Sequence, residues 1–357
     1  MIAVLQPHIA HYREAFWKGI SKRYSVKFFT YRDLNTSIKL NFHSADIDFS
    51  HISNLSHKEF LFYNPIPLLG NNVKVLVLML HFGHFTTWIL LLTKFFHRKK
   101  VILFGHGISV KRYLEEEKSP SKLLKMMIYL SDGVWLYTEK ERQMWLNVFP
   151  DKKITSLNNT ISDVVTPCVE YDVDVLKNQF NIKEQIVLIF CARFNNEHRR
   201  IDLLLESIRS FDSSKFGFII IGDGVFKPDF SSYKNVYDFG SVYDIKLKSQ
   251  LFCISDIYFQ PGWVGLSIVE AMKYGKPIFT FQRSEETLQC VEYFYIKDGY
   301  NGKIFADLDS FVRYTSAVTK SELLILSRNA LSYSDKNLSM IEMVKNGLDS
   351  LSSFTGP

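Results

Sequence analysis

At 357 residues, with 46% hydrophobic and 22% charged side chains, the chain is too long for one ordinary core and too apolar to be disordered. Four cysteines, Cys168, Cys191, Cys253 and Cys290, lie far apart with no C-x-x-C pair, which excludes a zinc-ribbon pattern and predicts reduced thiols in a cytosolic compartment. The net charge of +6 is uneven: residues 1–165 hold 22 Lys and Arg against 13 Asp and Glu, and nine of the ten histidines, so an anionic partner is expected there. The basic residues are dispersed and form no recognition motif, which argues against nucleic acid.

The chain begins "MIAVLQ", a strand with no basic segment before it and so not a secretory signal. The helix "YREAFWKGISKRY" and the strand "SVKFFTY" follow. His8, His11 and Arg13 fall in the first strand-to-helix loop, which makes them candidates for acceptor or donor contacts. Residues 73–107 are the most apolar region, but His81, Gly83, His84 and Lys94 interrupt it before the run of about 18–20 apolar residues that a membrane span needs. They read as strand, a helix over roughly 84–96, and the strand "KVILFGHG". The basic turn Arg98, Lys99 and Lys100 is either a solvated end to a buried helix or a peripheral contact with anionic lipid headgroups. A helix over roughly 119–130 and the strand "GVWLYT" complete this half, and a polar passage leads to a domain boundary near 165–180.

A second alternation runs "QIVLIFCARF", "RIDLLLESIRSF", "FGFIIIGDG", "NVYDFGSV", "VYDIKLKSQLFCI", "DIYFQPG" and "PIFTF", and an amphipathic stretch, "SMIEMVKNGLDSL", lies near the end. Strands alternating with helices in both halves predict two α/β units with parallel sheets.

The stretch "QPGWVGLSIVEAMKYGKP", residues 260–277, carries the most chemistry. Gly262 and Gly265 allow a sharp turn and close approach of a ligand, and the free N–H groups of a helix start suit phosphate oxygens. Glu270, placed about two turns in, suits paired hydroxyls such as those of a ribose; the alternative is a surface pair with Lys273 at i+3. Arg193 ends an apolar strand, and Arg199 and Arg200 precede a helix, where guanidinium groups can clamp a diphosphate and stabilise charge growing on it. "IIIGDG" (219–224) is another glycine turn at a strand end. No D-x-D-type acidic metal motif stands out, which predicts metal-independent chemistry and no cofactor.

Taken in order, these segments, with "EYFYIKDGYNGKIF", resemble the C-terminal donor domain of glycosyltransferase family 4, retaining enzymes with the GT-B fold. "HIAHYREAFWKGI", "GHG", "VWLYTEKE" and "LNNTIS" are similar to its first half more loosely. The resemblance implies two Rossmann-like domains facing across a cleft: residues 1–165 for the acceptor, 166–334 for the nucleotide-sugar donor, and 335–357 packing back on the first. It implies that Arg193 and Arg199 contact the donor diphosphate and that Glu270, matching the second glutamate of the E-x7-E motif, binds the ribose. The backbone of Val264, Gly265, Leu266 and Ser267 would lie near the phosphates, and Gly222 and Gly240 would border the donor. His106, which taken alone reads equally as structural, matches a position near the transferred sugar, and Glu292 a carboxylate near the donor site. Gly262 stands where the family has its first glutamate; such P-G-x-V-G-L-S variants resemble a subgroup of bacterial surface-polysaccharide enzymes of O-antigen, capsule and lipopolysaccharide synthesis.

The expected activity is therefore transfer of a sugar, with retention, from a UDP-sugar or GDP-sugar to a glycan or lipid-linked oligosaccharide. The acceptor hydroxyl attacks from the face the diphosphate leaves, without metal, in the cytoplasm at the inner face of the membrane. The alternatives are a nucleotide-sugar epimerase of the same fold and a non-catalytic nucleotide-sugar or glycan-binding protein.

Overall fold

The structure, a computed structural model, describes residues 1–32, 46–161 and 171–355. Cys168 lies outside them. The chain divides into two compact units, Met1–Ser162 with Met340–Pro357, and Asp163–Ser339.

In the first unit the strands are β1 (Ile2–Gln6), β2 (Val26–Thr30), β3 (Phe49–His51), β4 (Asn54–His57), β5 (Phe60–Tyr63), β6 (Val75–Met79), β7 (Lys100–Gly105), β8 (Gly133–Leu136) and β9 (Ile154–Ser156). Seven of them form a parallel sheet in the order β3-β2-β1-β6-β7-β8-β9, and β4 and β5 form a separate antiparallel hairpin. Unbroken apolar runs make this sheet: Val75, Leu76, Val77 and Leu78 are all buried, as a parallel strand covered on both faces requires. The helix Glu14–Ser21 buries Phe16, Trp17 and Ile20 on one side, while the C-terminal helix Met340–Thr355 crosses it closely. Gly19 and Gly347 permit that crossing, since a Cβ on Gly19 would lie 2.6 Å from Val344 and one on Gly347 would lie 3.0 Å from Phe16 and Ile20. Trp135 of the neighbouring strand end donates its indole N–H to Ser350 Oγ at 2.8 Å, fixing the same helix to the sheet.

Two helices differ from expectation. The stretch 84–96 is two pieces, Phe85–Leu92 and Lys94–His97, broken at Thr93, whose hydroxyl bonds back to the Ile89 carbonyl at 2.7 Å. The helix expected over 119–130 begins at Lys122 and not at 119, because Pro120 biases Ser119 away from helical geometry.

The second unit holds β10 (Ile186–Cys191), β11 (Phe216–Ile221), β12 (Val236–Asp238), β13 (Ile257–Phe259), β14 (Ile278–Phe281) and β15 (Gly302–Phe305), a parallel sheet ordered β12-β11-β10-β13-β14-β15. One face packs a phenylalanine-rich core in which Phe259 and Phe311 stack at 4.4 Å. Cys191 and Cys290 are free thiols, but Cys253 is disulfide-bonded, a departure from the four reduced thiols expected.

In each sheet the order of strands reverses direction once, between β1 and β6 and between β10 and β13. The carboxyl ends of strands at such a reversal leave a crevice, because the following loops turn to opposite sides. Among the described residues no helix is long and apolar enough to cross a membrane.

Candidate functional site

The residues predicted as donor contacts follow the β10/β13 reversal in the second unit. After Cys191 the chain passes Arg193, half-buried, and enters the short turn Glu197–Arg199, whose start is fixed by Asn196 accepting the His198 N–H at 3.0 Å. Arg200 then takes a left-handed φ of 55°, binds Asp202 at 2.7 Å and donates to Thr287 Oγ1 at 2.5 Å. Arg199 is different: its Nε is enclosed and has no hydrogen-bond partner. Burial lowers its pKa from the ordinary arginine range, and Arg193 nearby pushes the same way. A desolvated guanidinium beside a second cation lacks the anion that would offset its burial.

Residues 260–266 form a loop held from beneath by two fully buried amides. Gln260 donates to the carbonyls of Trp263 at 2.7 Å and Gly262 at 3.1 Å, and accepts from Tyr258 at 2.8 Å and Ser267 at 3.0 Å. Gln289 accepts the Val264 N–H at 2.8 Å and donates to the Phe281 carbonyl at 3.0 Å. Buried polar networks this fully paired fix one backbone geometry. Trp263, at φ 52°, stacks on His198 with ring centroids 5.1 Å apart, tying this loop to the arginine loop. Val264 is buried, whereas a Cβ on Gly265 would meet nothing within 4 Å, so the backbone at Gly265 faces open space.

The helix following Leu266 runs Ser267–Lys273, which puts Glu270 in its first turn and not its second. Its carboxylate pairs with Lys248 of the helix Ile245–Ile254 at 2.8 Å, and not with Lys273 as the alternative reading had it. Burial works to lower the Lys248 pKa, but Glu270 outweighs it and the net direction is up. The Cys191 thiol is pushed up to about 12 by burial and by Glu270, and pulled back by Lys248 and Arg199. One strand end thus feels Glu270, Lys248 and Arg199 together.

Gly222 and Gly240 meet through a hydrogen bond from the Gly222 N–H to the Gly240 carbonyl at 2.7 Å. Gly222 lies at φ 140°, where a side chain would strike the Ala192 carbonyl, so it closes β11 against β10. Gly240, at φ 62°, is open. Glu292 is buried in the turn Val291–Tyr295, where it raises the Cys290 pKa, second to burial, while Arg199 opposes both. At Gly262 a Cβ would lie 2.5 Å from the His198 carbonyl oxygen and 2.9 Å from Arg200 Cγ. The arginine loop occupies the space a side chain at 262 would need.

The other candidates lie in the first unit. His8 is half-buried, its pKa lowered to about 4 by burial and the Arg32 charge. His11 is exposed and packs edge-on to Tyr12 at 5.5 Å. Arg13 is 7% exposed, its guanidinium 4.9 Å from the Tyr137 ring and 5.3 Å from that of Phe104. The exposed His106 ring meets the same Tyr137 edge-on at 4.2 Å. Among the described residues no three His, Cys, Asp or Glu side chains gather to hold a metal ion. An open depression of about 500 Å³ lined by Arg142, Lys152, Lys153 and Asp349 sits at the start of β9, the opposite end of that strand from the ligand loops.

Lys248, Gln260 and Gln289 were not singled out in the sequence. A glutamine ending the apolar strand "DIYFQPG" is a signal in hindsight, because a buried amide there needs partners; Lys248 looks like any helix-surface lysine.

Residues 185–320 match the family described as Glycosyl transferases group 1. An "Uncharacterized 41.2 kDa protein in cps region" of Klebsiella pneumoniae is 38% identical over 100 residues, 27% of this chain, and the match spans only 27% of that relative's length. Over 99% of both chains the fold is similar to that of Anabaena Alr3699/HepE in complex with UDP and glucose, at TM-score 0.64 and 15% identity. It is likewise similar to the lipopolysaccharide outer core galactosyltransferase WaaB in its apo form, at TM-score 0.65 and 14% identity over 99% of both chains. The two parallel-sheet units are therefore those of an α/β GT-B fold.

Proposed function

We propose that the protein is a retaining glycosyltransferase that moves a sugar from a UDP-sugar or GDP-sugar to a glycan acceptor in bacterial surface-polysaccharide synthesis. The observation that carries this reading is Arg199: a half-buried cation whose enclosed Nε has no hydrogen-bond partner among the described residues, at the β10/β13 crevice, with Arg193 beside it and the open loop at Gly265 following β13. A diphosphate supplies the missing anion. As the glycosidic bond breaks, negative charge grows on that leaving group, so fixed guanidinium groups stabilise the transition state more than the ground state. Glu270, oriented by Lys248, would accept hydrogen bonds from the ribose. The acceptor hydroxyl would attack from the side the diphosphate leaves and pass its proton to a phosphate oxygen, so neither a carboxylate nucleophile nor a metal is required. HepE binding UDP and glucose, WaaB acting as a galactosyltransferase, and the cps-region relative all favour this substrate class.

The test is incubation with sugar nucleotides and a glycan acceptor in EDTA, reading the product's anomeric configuration by NMR. We expect a product with the donor's configuration. Turnover of donor without acceptor would instead indicate an epimerase, and binding without turnover a non-catalytic receptor.

The first unit would work against an anionic membrane. Phe85, Ile89, Leu92 and Phe96 form an exposed stripe, Phe95 and Phe96 are 83% and 80% exposed, and Phe62 of the hairpin stacks on Phe85 at 4.6 Å. Arg98 and Lys122 beside it are exposed, while Lys94 and Lys100 pair with Asp132 and Lys99 is buried on the Gly70 and Val73 carbonyls. Exposed apolar surface beside the exposed cations Arg98 and Lys122 suits anionic lipid headgroups. In flotation, binding to phosphatidylglycerol vesicles should exceed binding to neutral vesicles and fall about tenfold in Phe95→Ser/Phe96→Ser; equal flotation of both proteins would rule the surface out.

A further inference from the structure

We propose that the first unit carries an anion-binding site centred on Arg13 that takes a phosphate or carboxylate group of the acceptor. That the ligand is the acceptor rests on the transfer reading above; that the site binds an anion does not.

Arg13 ends the short turn that follows β1 and leads into the helix Glu14–Ser21. Its guanidinium lies among the rings of Tyr137, Phe104 and Tyr12, at 4.9, 5.3 and 5.7 Å, at the carboxyl ends of β7 and β8. The residue is 7% exposed, and its Nη1 is enclosed without a hydrogen-bond partner. Among the described residues no carboxylate pairs with it: the adjacent Glu14 pairs with Lys18 at 2.6 Å instead. The faces of aromatic rings attract a cation but accept none of the five directional N–H bonds a guanidinium offers. A cation buried in this way destabilises the free protein. An incoming phosphate or carboxylate would accept those N–H bonds, and a planar fork matches either group. His106, exposed and edge-on to the same Tyr137 ring at 4.2 Å, stands at the open side, where an incoming group would meet it. An acidic or phosphorylated sugar unit is thus the acceptor class this unit suits.

The experiment is titration calorimetry of the full chain with inorganic phosphate and, separately, with glucuronate, at constant ionic strength and in saturating UDP so that the donor arginines are occupied. The wild type, Arg13→Met and Arg13→Lys are compared, and each protein's Tm is measured. We expect the wild type to bind at least one probe, with at least tenfold weaker binding in Arg13→Met, intermediate binding in Arg13→Lys, and UDP affinity within twofold throughout. Arg13→Met should melt no lower than the wild type. Phosphate alone binding names a phosphorylated acceptor; glucuronate alone names a uronic acid. The proposal is overturned if Arg13→Met keeps its affinity within twofold, or if the wild type binds neither probe at tens of millimolar. It is also overturned if Arg13→Met melts well below the wild type and Arg13→Lys binds no better than Arg13→Met, which makes the cation structural. If UDP itself does not bind, the transfer reading fails, while the phosphate comparison without UDP still judges the Arg13 site.

Discussion

Replacing Arg199 by methionine is expected to lower kcat/KM for sugar transfer by about 100- to 1,000-fold, on the order of 3–4 kcal/mol of transition-state stabilisation. The same variant should melt no lower than the wild type. Both effects have one cause. Arg199 Nε is enclosed with no partner, and Arg193 adds repulsion, so the free protein carries an unoffset charge that the leaving diphosphate would neutralise. Methionine fills similar volume without that charge. Steady-state kinetics and a melting curve on the two proteins check this. A large fall in Tm with unchanged kcat/KM would make Arg199 a structural residue. Arg193, which has no enclosed unpaired nitrogen like the Arg199 Nε, should show a smaller kinetic loss when changed to methionine.

Placing a glutamate at 262, by Gly262→Glu, should harm the protein and not improve it. The Cβ alone would sit 2.5 Å from the His198 carbonyl oxygen, a backbone atom that the Asn196 turn and the Trp263 stack hold in place. Relief requires displacing the loop that carries Arg199 and Arg200. Overpacking of this kind costs about 2–3 kcal/mol, or roughly 5–10 °C in the Tm of a domain this size. Donor turnover should fall with it, since Arg199 moves. A variant with wild-type Tm and raised turnover would show that the loop is free to yield, and that Gly262 is a simple loss of a donor contact. The glycine therefore belongs with the left-handed Arg200 and its bonds to Asp202 and Thr287 as one local arrangement.

The central strands were legible because they are unbroken apolar runs ending in glycine or charge, whereas β3 (Phe49–His51), β4 (Asn54–His57) and β9 (Ile154–Ser156) are short and mixed and were not. "QIVLIFCARF" is an example: β10 takes Ile186–Cys191, and the first charged residue, Arg193, falls just beyond its end. The helix break at Thr93 was not legible, since a threonine within an apolar helix stretch forms a back-bond only when local geometry allows it. The partner of Glu270 was hidden for another reason. Lys273 lies three residues away and satisfies the local helix rule, whereas Lys248 lies 22 residues back on a separate helix that only tertiary packing brings near. Gln260 and Gln289 escaped because an amide in sequence shows neither its burial nor its partners. The crowding at Gly262 comes from a backbone carbonyl, which no residue pattern encodes.

The central claim is that the β10/β13 crevice binds a nucleoside diphosphate. Its most direct test is thermal stabilisation of the wild type and Glu270→Ala by UDP, GDP, ADP and CMP, each with and without sugar. At about 100 times Kd a bound nucleotide adds roughly 2.7 kcal/mol, a shift of several degrees. We expect UDP or GDP to stabilise the wild type by that amount and Glu270→Ala much less. If no nucleotide at millimolar concentration moves the wild-type Tm, or if Glu270→Ala responds equally, the crevice is not a donor site and the assignment fails.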